Sequence, residues 1–405
     1  IMIYKCINWG RRMKIYNLFP LFLIVLIACS AVYCGFDFDK LINRPDPLRE
    51  RVIPVEWIEA LNYIRCVAKN KNFVIVSDIY FGKLAAGYLG LRRLYPPGSP
   101  VHVNVGNKIS WYFYKIALNP YTYEQLMIEI MNITNSEIGF YVIDDYWVKV
   151  KKLTTYEKID QLKIISDEWR EFGNKNKIYV FKVLMPILVH RYVLYFDGLD
   201  DYIEVPNSSI LNPQTITLEA LVKPFSIDNQ DIINKWYHHP KINAQYRLSI
   251  INGRFGIRLN INGVFYSCFS QPFQIGKWYH VVGTFDGFQI KIYINGVLSN
   301  VLNATGSLNM KGALPLRIGI YGDCISNSFK GYIAFIRIYN RALTLEEVVH
   351  NYKHPNNPIR DGLILWLSLD DGSRNIVCNR GYYNLTGLIN GAQWVKDTIP
   401  MRRDK

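Results

Sequence analysis

Apolar and polar residues alternate along residues 276–297, whose sequence is GKWYHVVGTFDGFQIKIYINGV. In an extended chain, successive side chains point to opposite faces, so this alternation is typical of half-buried β-strands. Asp286-Gly287 and Asn295-Gly296 interrupt it, and glycine tolerates the positive φ that tight hairpin turns require. The pattern predicts a meander of short antiparallel strands, the unit from which sandwiches and jelly rolls are built.

The same alternation continues through the C-terminal half of the chain. Its turn residues recur at the spacing of roughly 8–12 residues that is typical of two-sheet sandwiches. One short helix is predicted after Thr344, because Thr344 and Glu347 are spaced as a capping box. Further strands are predicted at Leu194–Pro206 (around an Asp-Gly turn), Thr215–Lys223, Tyr246–Ile250, Arg254–Asn260, Leu316–Ile320, Gly331–Tyr339 and Leu363–Leu369.

Residues 55–193 alternate instead between helical and strand patterns, which predicts a small α/β domain with an at least partly parallel sheet. Asp78 and Asp144-Asp145 end two of the strands, but no glycine-rich phosphate loop follows Asp78, and solvated turns are favoured over metal sites there. The predicted helices are Val55–Lys69, Tyr80–Leu94, Tyr121–Met131 and Lys158–Phe172, and the strands are Asn72–Asp78, Ile138–Asp144 and Lys177–Val183.

The first 54 residues read as a basic segment (1–14), an uncharged run (15–36) and a proline-punctuated charged linker (37–54). The run is long enough to cross a bilayer core of about 30 Å. Because the basic residues precede it, the rest of the chain is expected outside the cytoplasm. A retained transmembrane anchor is favoured. The alternatives are the last span of a larger membrane protein, a cleaved signal peptide, a lipobox in which Cys29 is lipidated, and a buried core helix.

Composition narrows the function classes. Half of the 405 residues are hydrophobic and 14% are aromatic, which permits a large core and argues against global disorder. The net charge is +14, but lysine and arginine are scattered and no nucleic-acid motif accompanies them, so no nucleic-acid partner is predicted.

The seven cysteines form no CxxC pair, which argues against a zinc knuckle or a thioredoxin-type site. One disulfide among Cys268, Cys324 and Cys378 and buried free thiols remain equal alternatives. Asn-x-Ser/Thr sequons predict a glycosylated external surface, although such triplets also arise by chance in an asparagine-rich chain. They begin at Asn132, Asn207, Asn303 and Asn384.

Several segments of residues 194–400 resemble the laminin-G/concanavalin A-like jelly roll. The resemblance implies a carbohydrate- or protein-binding module, helped by calcium in some relatives, although other relatives of the fold are glycoside hydrolases. It rests on Tyr195–Gly198, Tyr202, Val205-Pro206, Thr215–Pro224, Gly276–His280 through Asn295-Gly296, and Phe329–Thr344, with Asp361–Trp366 and Gly391–Trp394 resembling a segment often found beside it.

The N-terminal half resembles the soluble C-terminal part of archaeal multi-span membrane glycosyltransferases. The resemblance covers the predicted span, the linker and the segment WIEALNYIR…NFVIVSD. Those are the oligosaccharyltransferases and dolichyl-phosphate mannosyltransferases. Their catalytic residues lie in membrane-proximal loops that this sequence does not contain, so the resemblance implies no activity.

Carboxylate spacing favours binding over hydrolysis. Glycoside hydrolysis needs two carboxylates that flank one bond, and hydrolase relatives carry them on one strand as Glu-x-Asp-x-(x)-Glu. No such triplet occurs, and Glu204 and Glu219 stand alone on their strands. His280, also on a strand, is predicted to be a packed, hydrogen-bonded core histidine and not a base.

Two aromatic loops are the predicted ligand contacts, because aromatic rings stack on the apolar faces of sugars. One contains Trp236, Tyr237 and His238, which His239 follows, and the other contains Tyr321 and Asp323. Plain exposed loops are the alternative for both.

Asp197, Asp200 and Asp201 are the candidate calcium ligands, since calcium binds clustered oxygens, and a simple tight turn is their alternative. The sequence thus predicts a membrane-anchored extracytoplasmic protein that recognises a carbohydrate or a surface protein. An enzyme (a glycosyltransferase fragment or a glycoside hydrolase) and a structural cell-surface role are the alternatives.

Overall fold

The computed structural model describes residues 54–68, 71–77, 81, 85, 112–119, 122–174, 176–237, 243–309 and 313–401. The predicted span at 15–36, the lipidation candidate Cys29 and most of the predicted helix Tyr80–Leu94 lie outside these residues. Within them, no helix combines the length and the apolar composition needed to cross a bilayer. The structure therefore concerns the α/β region and the β-rich region that follows it.

The α/β region contains one mixed four-stranded sheet in the order β1-β2-β4-β3. Strands β1 (Phe73–Val76) and β2 (Ile138–Asp144) are parallel, whereas β4 (Ile178–Leu184) runs antiparallel to both β2 and β3 (Glu168–Phe172). The helices are α1 (Val55–Ala68), α2 (Tyr123–Thr134) and α3 (Tyr156–Ile165), with a further helical stretch at 112–118 and a π-helical turn at Tyr146–Val150. The predicted α/β character is confirmed.

One boundary prediction in this region is wrong. Residues Glu168–Phe172 continue the helical pattern of α3 in sequence, yet they form the edge strand β3. Helix α3 ends at Ile165, and the extended backbone of its C-cap residue Ser166 turns the chain toward the open edge of β4. Main-chain pairing with β4 and the packing of Phe172 on Tyr63 of α1, with ring centroids 5.7 Å apart, outweigh the helical propensity.

Every residue of β2 is buried, which shows that both faces of this sheet are covered. Helices provide the cover on each face. On one face, Trp57 and Leu61 of α1 pack with Phe140. On the other face, Tyr141 and Phe181 pack with the helices that follow β1. The region is therefore a three-layer α/β/α unit.

The β-rich region is a sandwich of two eight-stranded sheets. The front sheet has the order β11-β10-β9-β8-β15-β6-β19-β18, and the back sheet has the order β14-β13-β12-β7-β16-β5-β20, with β17 also paired to β16. The strands are β5 (Ile187–Asp197), β6 (Tyr202–Val205), β7 (Ile216–Pro224), β8 (Gln230–Tyr237), β9 (Asn243–Ile251), β10 (Arg254–Ile261), β11 (Val264–Pro272), β12 (Tyr279–Phe285), β13 (Gln289–Ile294), β14 (Val297–Asn303), β15 (Leu316–Ile318), β16 (Lys330–Tyr339), β17 (Leu363–Ser368), β18 (Ile376–Cys378), β19 (Thr386–Asn390) and β20 (Gln393–Met401).

The core of the sandwich lies between the two sheets. Leu218 and Ile292 of the back sheet pack there with Leu248 and other apolar residues of the front sheet, all of them fully buried. Gly283 brings the sheets close together, since a Cβ at that position would lie 2.7 Å from Ile257 Cδ1. The predicted alternation along β12 thus directs one face into the core and the other away from it.

The predicted meander β12-β13-β14 is confirmed by its register. Asn295 and Gly296 form its second turn with φ values of 51° and 80°, as a two-residue hairpin requires. The Asp197-Gly198 turn behaves differently. It joins β5 of the back sheet to β6 of the front sheet, so it is a crossover between sheets and not a hairpin.

Strand β5 also crosses the predicted domain boundary between residues 193 and 194. It begins at Ile187 and pairs with β20 along most of its length, from Ile187 opposite Met401 to Tyr195 opposite Gln393. Long-range pairing with the end of the chain therefore starts the sandwich earlier than the local pattern indicated.

Helix α4 (Leu345–Lys353) covers the outer face of the back sheet. The predicted capping box is present, with Thr344 Oγ1 accepting from the Glu347 amide and Glu347 reaching back to the Thr344 amide. Lys353 Nζ donates to the carbonyls of Ile164 and Ser166, and so ties α4 to the α/β region. Cys268, Cys324 and Cys378 carry free thiols, so no disulfide joins these three described cysteines.

Candidate functional site

A cavity of about 330 Å³ lies on the outer face of the front sheet. It contains Trp236 and Tyr321, one from each of the two segments that the sequence predicted as ligand contacts. Trp236 and Tyr237 lie in strand β8, so the prediction of a loop at these two residues is wrong. Tyr237 lies beside the cavity, with its ring centroid 6.2 Å from that of Tyr321. The lining residues are Asn229, Trp236, Arg247, Ile251, Arg258, Phe265, Tyr321 and Asn327.

The register of the front sheet explains how these residues meet. Leu248 and Ile257 point into the core, so their neighbours Arg247 and Arg258 point outward. Arg247 lies directly opposite Arg258 on β10, and Arg258 lies opposite Ser267 on β11. Side chains opposite each other on antiparallel strands share a face, so one polar row crosses the floor of the cavity.

Aromatic rings form the walls of the cavity. The ring centroids of Trp236 and Phe265 are 4.9 Å apart, and Phe265 is 45% exposed. A β-bulge between Lys235 and Trp236 adjusts the direction of Trp236 in β8. On the opposite side, the guanidinium of Arg247 lies 5.7 Å from the centroid of the Tyr321 ring, which positions that side chain by a cation–π contact.

One carboxylate lies behind the cavity. Asp231 is fully buried, its Oδ1 is 3.4 Å from Arg247 Nε, and its Oδ2 accepts a hydrogen bond from Asn234. Burial raises the pKa of Asp231 to about 6, although Arg247 acts in the opposite direction. Burial and the adjacent positive charge of Arg247 lower the pKa of the Arg258 guanidinium. The cavity floor therefore carries two arginines, and one buried acid lies behind it.

The sequence analysis missed Arg247, Arg258 and Asp231. Arg247 and Arg258 are equally distant from the Asn252-Gly253 turn, so a two-residue hairpin places them opposite each other. That symmetry was readable from the sequence. The contact with Asp231 on β8 depends on β8 pairing with β9 through the bulges, which no short motif indicated.

Two predicted ligand residues have other positions. Asp323 accepts hydrogen bonds from the amides of Ile325 and Ser326 and from the Ser326 hydroxyl, so it organises its own loop and does not line the cavity. His238, like His239, lies outside the residues that the structure describes.

The candidate calcium ligands lie together at the β5–β6 crossover. One carboxylate oxygen from each of Asp197, Asp200 and Asp201 falls within 4.8 Å of the others. Burial raises the pKa of Asp201, and the charges of Asp197 and Asp200 raise it further. Backbone amides already engage two of the groups, since Asp197 N donates to Asp201 and Leu199 N donates to Asp197. Three hard oxygen donors so close together fit part of a calcium shell.

A buried polar network on the back sheet explains His280 and Glu219. His280 Nε2 lies 2.8 Å from Glu219 Oε1, and Arg337 Nη1 lies 2.7 Å from the same oxygen. The histidine is 2% exposed, so the prediction of a packed, hydrogen-bonded histidine is confirmed. Glu219 stands alone on β7 in sequence but not in space. Its partners come from β12, β16 and α4.

A larger cleft of about 790 Å³ separates the α/β region from the back sheet. Glu124 and Glu129 of α2 line one side, and Trp278 and Lys223 line the other. Trp278 Nε1 and Lys223 Nζ both donate to Asp397 Oδ2, at 2.9 Å each. The side chains of Trp278, Lys223 and Asp397 therefore form hydrogen bonds with one another within the wall of the cleft.

All four sequon asparagines are exposed, namely Asn132, Asn207, Asn303 and Asn384. Exposure is a requirement for glycosylation and does not establish it, so the glycosylation prediction stays a prediction.

Comparison with known proteins finds one family model that matches part of the chain, residues 196–349. They match the model described as the concanavalin A-like lectin/glucanases superfamily, which confirms the predicted jelly roll. No curated protein matched the sequence. The match falls within the β-rich half, so the resemblance of residues 55–193 to membrane glycosyltransferases stays a prediction.

Three solved structures illustrate the similarity. A protein of Bacteroides ovatus described as carbohydrate-binding is 19% identical, with 58% of this chain and 71% of that chain covered and a TM-score of 0.43. The CBM40 of the Ruminococcus gnavus IT-sialidase is 18% identical, with 40% of this chain and 97% of that chain covered and a TM-score of 0.33. Domains LG4-5 of the mouse laminin α1 chain are 15% identical, with 43% of this chain and 52% of that chain covered and a TM-score of 0.31.

Proposed function

We propose that the front-sheet cavity, defined by Trp236, Arg247, Arg258, Phe265 and Tyr321, binds a carbohydrate. The single observation that carries the proposal is the combination of aromatic walls with a polar floor in one cavity on a rigid sheet. A sugar ring presents apolar C–H faces and a rim of hydroxyl groups. Aromatic rings complement the faces, and arginine and asparagine side chains complement the rim.

The size and composition of the cavity support binding without bond cleavage. Its volume of about 330 Å³ lies at the lower end of the range of ligand pockets, roughly 300–1,000 Å³. None of the described residues that line it is an aspartate or a glutamate. Because glycoside hydrolysis needs two carboxylates beside the scissile bond, the proposal for this cavity is recognition.

Tyr321→Ala tests the proposal, because Tyr321 is half-buried in a loop and its removal leaves the strands intact. Glycan-array binding by the full chain should be lost or strongly reduced in this variant. Tyr382→Ala is the matched control, since Tyr382 is 80% exposed and does not line the cavity. Equal glycan binding by both variants would contradict the assignment of this cavity.

The proposal includes an extracytoplasmic location with an anchor at residues 15–36. The uncharged run, the basic residues before it and the exposed sequon asparagines support it. Protease protection in sealed vesicles tests the orientation. Digestion of the whole β-rich region from the outer side agrees with it, and complete protection contradicts it.

Calcium is part of the same proposal. The clustered oxygens of Asp197, Asp200 and Asp201 support it, with backbone carbonyls and solvent completing the six to eight ligands that calcium takes. The role of the ion there is structural, because it offsets the repulsion of three carboxylates at the crossover between the two sheets.

A further inference from the structure

The pairing of Arg247 with Arg258 is unfavourable for folding. The two residues lie directly opposite each other on β9 and β10, and like charges in that arrangement destabilise a sheet. Arg247 is only 5% exposed, and its Nε, which faces Asp231 at 3.4 Å, makes no hydrogen bond to a described residue.

The neighbouring charges leave an excess of one positive charge. Asp231 balances one of the two arginines, and Arg258 Nε donates to the neutral hydroxyl of Ser267. Farther along the same row, Arg317 is already paired with Glu204, with Nη2 and Oε2 3.0 Å apart. The unbalanced charge therefore lies at the cavity floor, between Arg247 and Arg258.

We infer that this cavity selects glycans that carry a monoanionic group, a carboxylate or a sulfate ester, held by Arg247 and Arg258. The inference rests on the proposed carbohydrate binding at this cavity. Guanidinium groups bind carboxylates and tetrahedral oxyanions through two parallel hydrogen bonds, and the charge of one monoanion equals the excess on the cavity floor. A phosphate monoester, with a charge near −2 at neutral pH, exceeds it.

The test compares an acidic glycan with its uncharged twin. Oligogalacturonate and its fully methyl-esterified form share one sugar backbone and differ at the carboxyl groups, which are charged in the acid and capped by an uncharged methyl ester in the other form. Calorimetry with the full chain gives both affinities. We expect the acid to bind at least about tenfold more tightly than the ester, a difference of the size expected for a charge-assisted bidentate contact. The affinity for a neutral disaccharide to which one sulfate ester has been added, measured in parallel, shows which of the two anions is preferred.

Arg258→Gln should remove most of the preference for the acid, because the substitution should weaken binding of the acid far more than binding of the ester. The melting temperature of the variant should stay the same or rise, because the repulsion from Arg247 is relieved. Arg254→Gln is the matched control. Arg254 is exposed, is carried by the same strand and does not line the cavity, so its loss should change the affinity by less than about twofold at physiological salt.

Two results would overturn the inference, and they differ in what they leave standing. If acid and ester bind equally and Tyr321→Ala still abolishes binding, the cavity binds glycans without charge selection, and only the inference fails. If no acidic, sulfated or neutral glycan binds, the proposed function fails with it.

Discussion

The Glu219 carboxylate and the Arg337 guanidinium meet across strands β7 and β16 with Oε1 and Nη1 2.7 Å apart, and neither side chain is exposed. Asn351 of helix α4 donates to the other carboxylate oxygen at 2.8 Å, and also to the Tyr339 hydroxyl. Glu219 therefore connects the back sheet to the helix that covers it. Because α4 also contacts the α/β region through Lys353, this carboxylate lies at the junction of the two regions.

Replacing Glu219 should strongly destabilise the sandwich. Glu219→Gln keeps the size of the side chain but leaves Arg337 buried without its counter-charge, and removing one partner of a buried pair typically costs about 3–5 kcal/mol. We expect the free energy of unfolding at pH 7, measured by urea denaturation, to fall by about 3 kcal/mol.

Glu204→Gln is the matched control for this prediction. Glu204 pairs with Arg317 at 3.0 Å on the front sheet, but its side chain is 37% exposed. Its loss should therefore cost less than about 1 kcal/mol. Similar losses in the two variants would show that burial does not set the strength of the Glu219 pair.

The same carboxylate predicts a dependence of stability on pH. Burial alone would raise the pKa of Glu219, but Arg337 and His280, with Asn351, lower it from 4.5 to about 2. The unfolded chain then binds a proton more readily than the folded chain between these values. Glu219 should contribute about 3 kcal/mol above pH 4.5, and this contribution should be lost as the pH falls toward 2.

Urea denaturation of the wild type and of Glu219→Gln across this pH range isolates the contribution. The difference between their unfolding free energies should narrow steadily as the pH falls from 4.5 toward 2. A constant difference would mean that the carboxylate is not preferentially ionised in the folded state.

Asp231 should have the opposite effect. Its pKa in the folded state is about 6, above its ordinary value of 3.8, because burial outweighs the attraction of Arg247 and Arg258 and the hydrogen bonds from Asn234 and Asn327. The folded chain binds the proton more tightly, so stability should fall by about 3 kcal/mol as the pH rises from about 4 to 6. Asp231→Asn should remove this slope, and parallel curves for the two proteins would contradict the prediction.

The meander and the capping box could be predicted because their determinants are local. Asn295-Gly296 specifies a turn, and the turn fixes the register of the two strands beside it. The same reasoning, applied to Asn252-Gly253, would have paired Arg247 with Arg258 and indicated the floor of the cavity. Trp236 and Tyr321 were recognised by residue type alone.

Other features depend on pairing between distant strands. Glu219 and Arg337 are 118 residues apart in sequence, and no local pattern indicates that β7 lies beside β16. The crossover at Asp197-Gly198 resembles a hairpin turn locally, yet β5 pairs with β16 and β20 while β6 pairs with β15 and β19. The choice between sheets is made by the whole core, so it could not be read from the turn.

Calcium should stabilise the protein through this crossover. Asp200 is exposed, so Asp200→Asn removes a proposed ligand without disturbing the core. Ions that bind only the folded state stabilise it in proportion to the logarithm of their concentration, so millimolar calcium should raise the melting temperature of the wild type. Asp200→Asn should not respond to calcium. Its melting temperature should equal that of the calcium-free wild type or lie slightly above it, because one repulsive charge is gone.

Asp371→Asn is the control, because it removes the same charge elsewhere in the sandwich, and its melting temperature should respond to calcium as that of the wild type does. A wild type that does not respond to calcium would leave these three aspartates as a turn stabilised by backbone amides, as the hydrogen bonds to Asp197 and Asp201 allow.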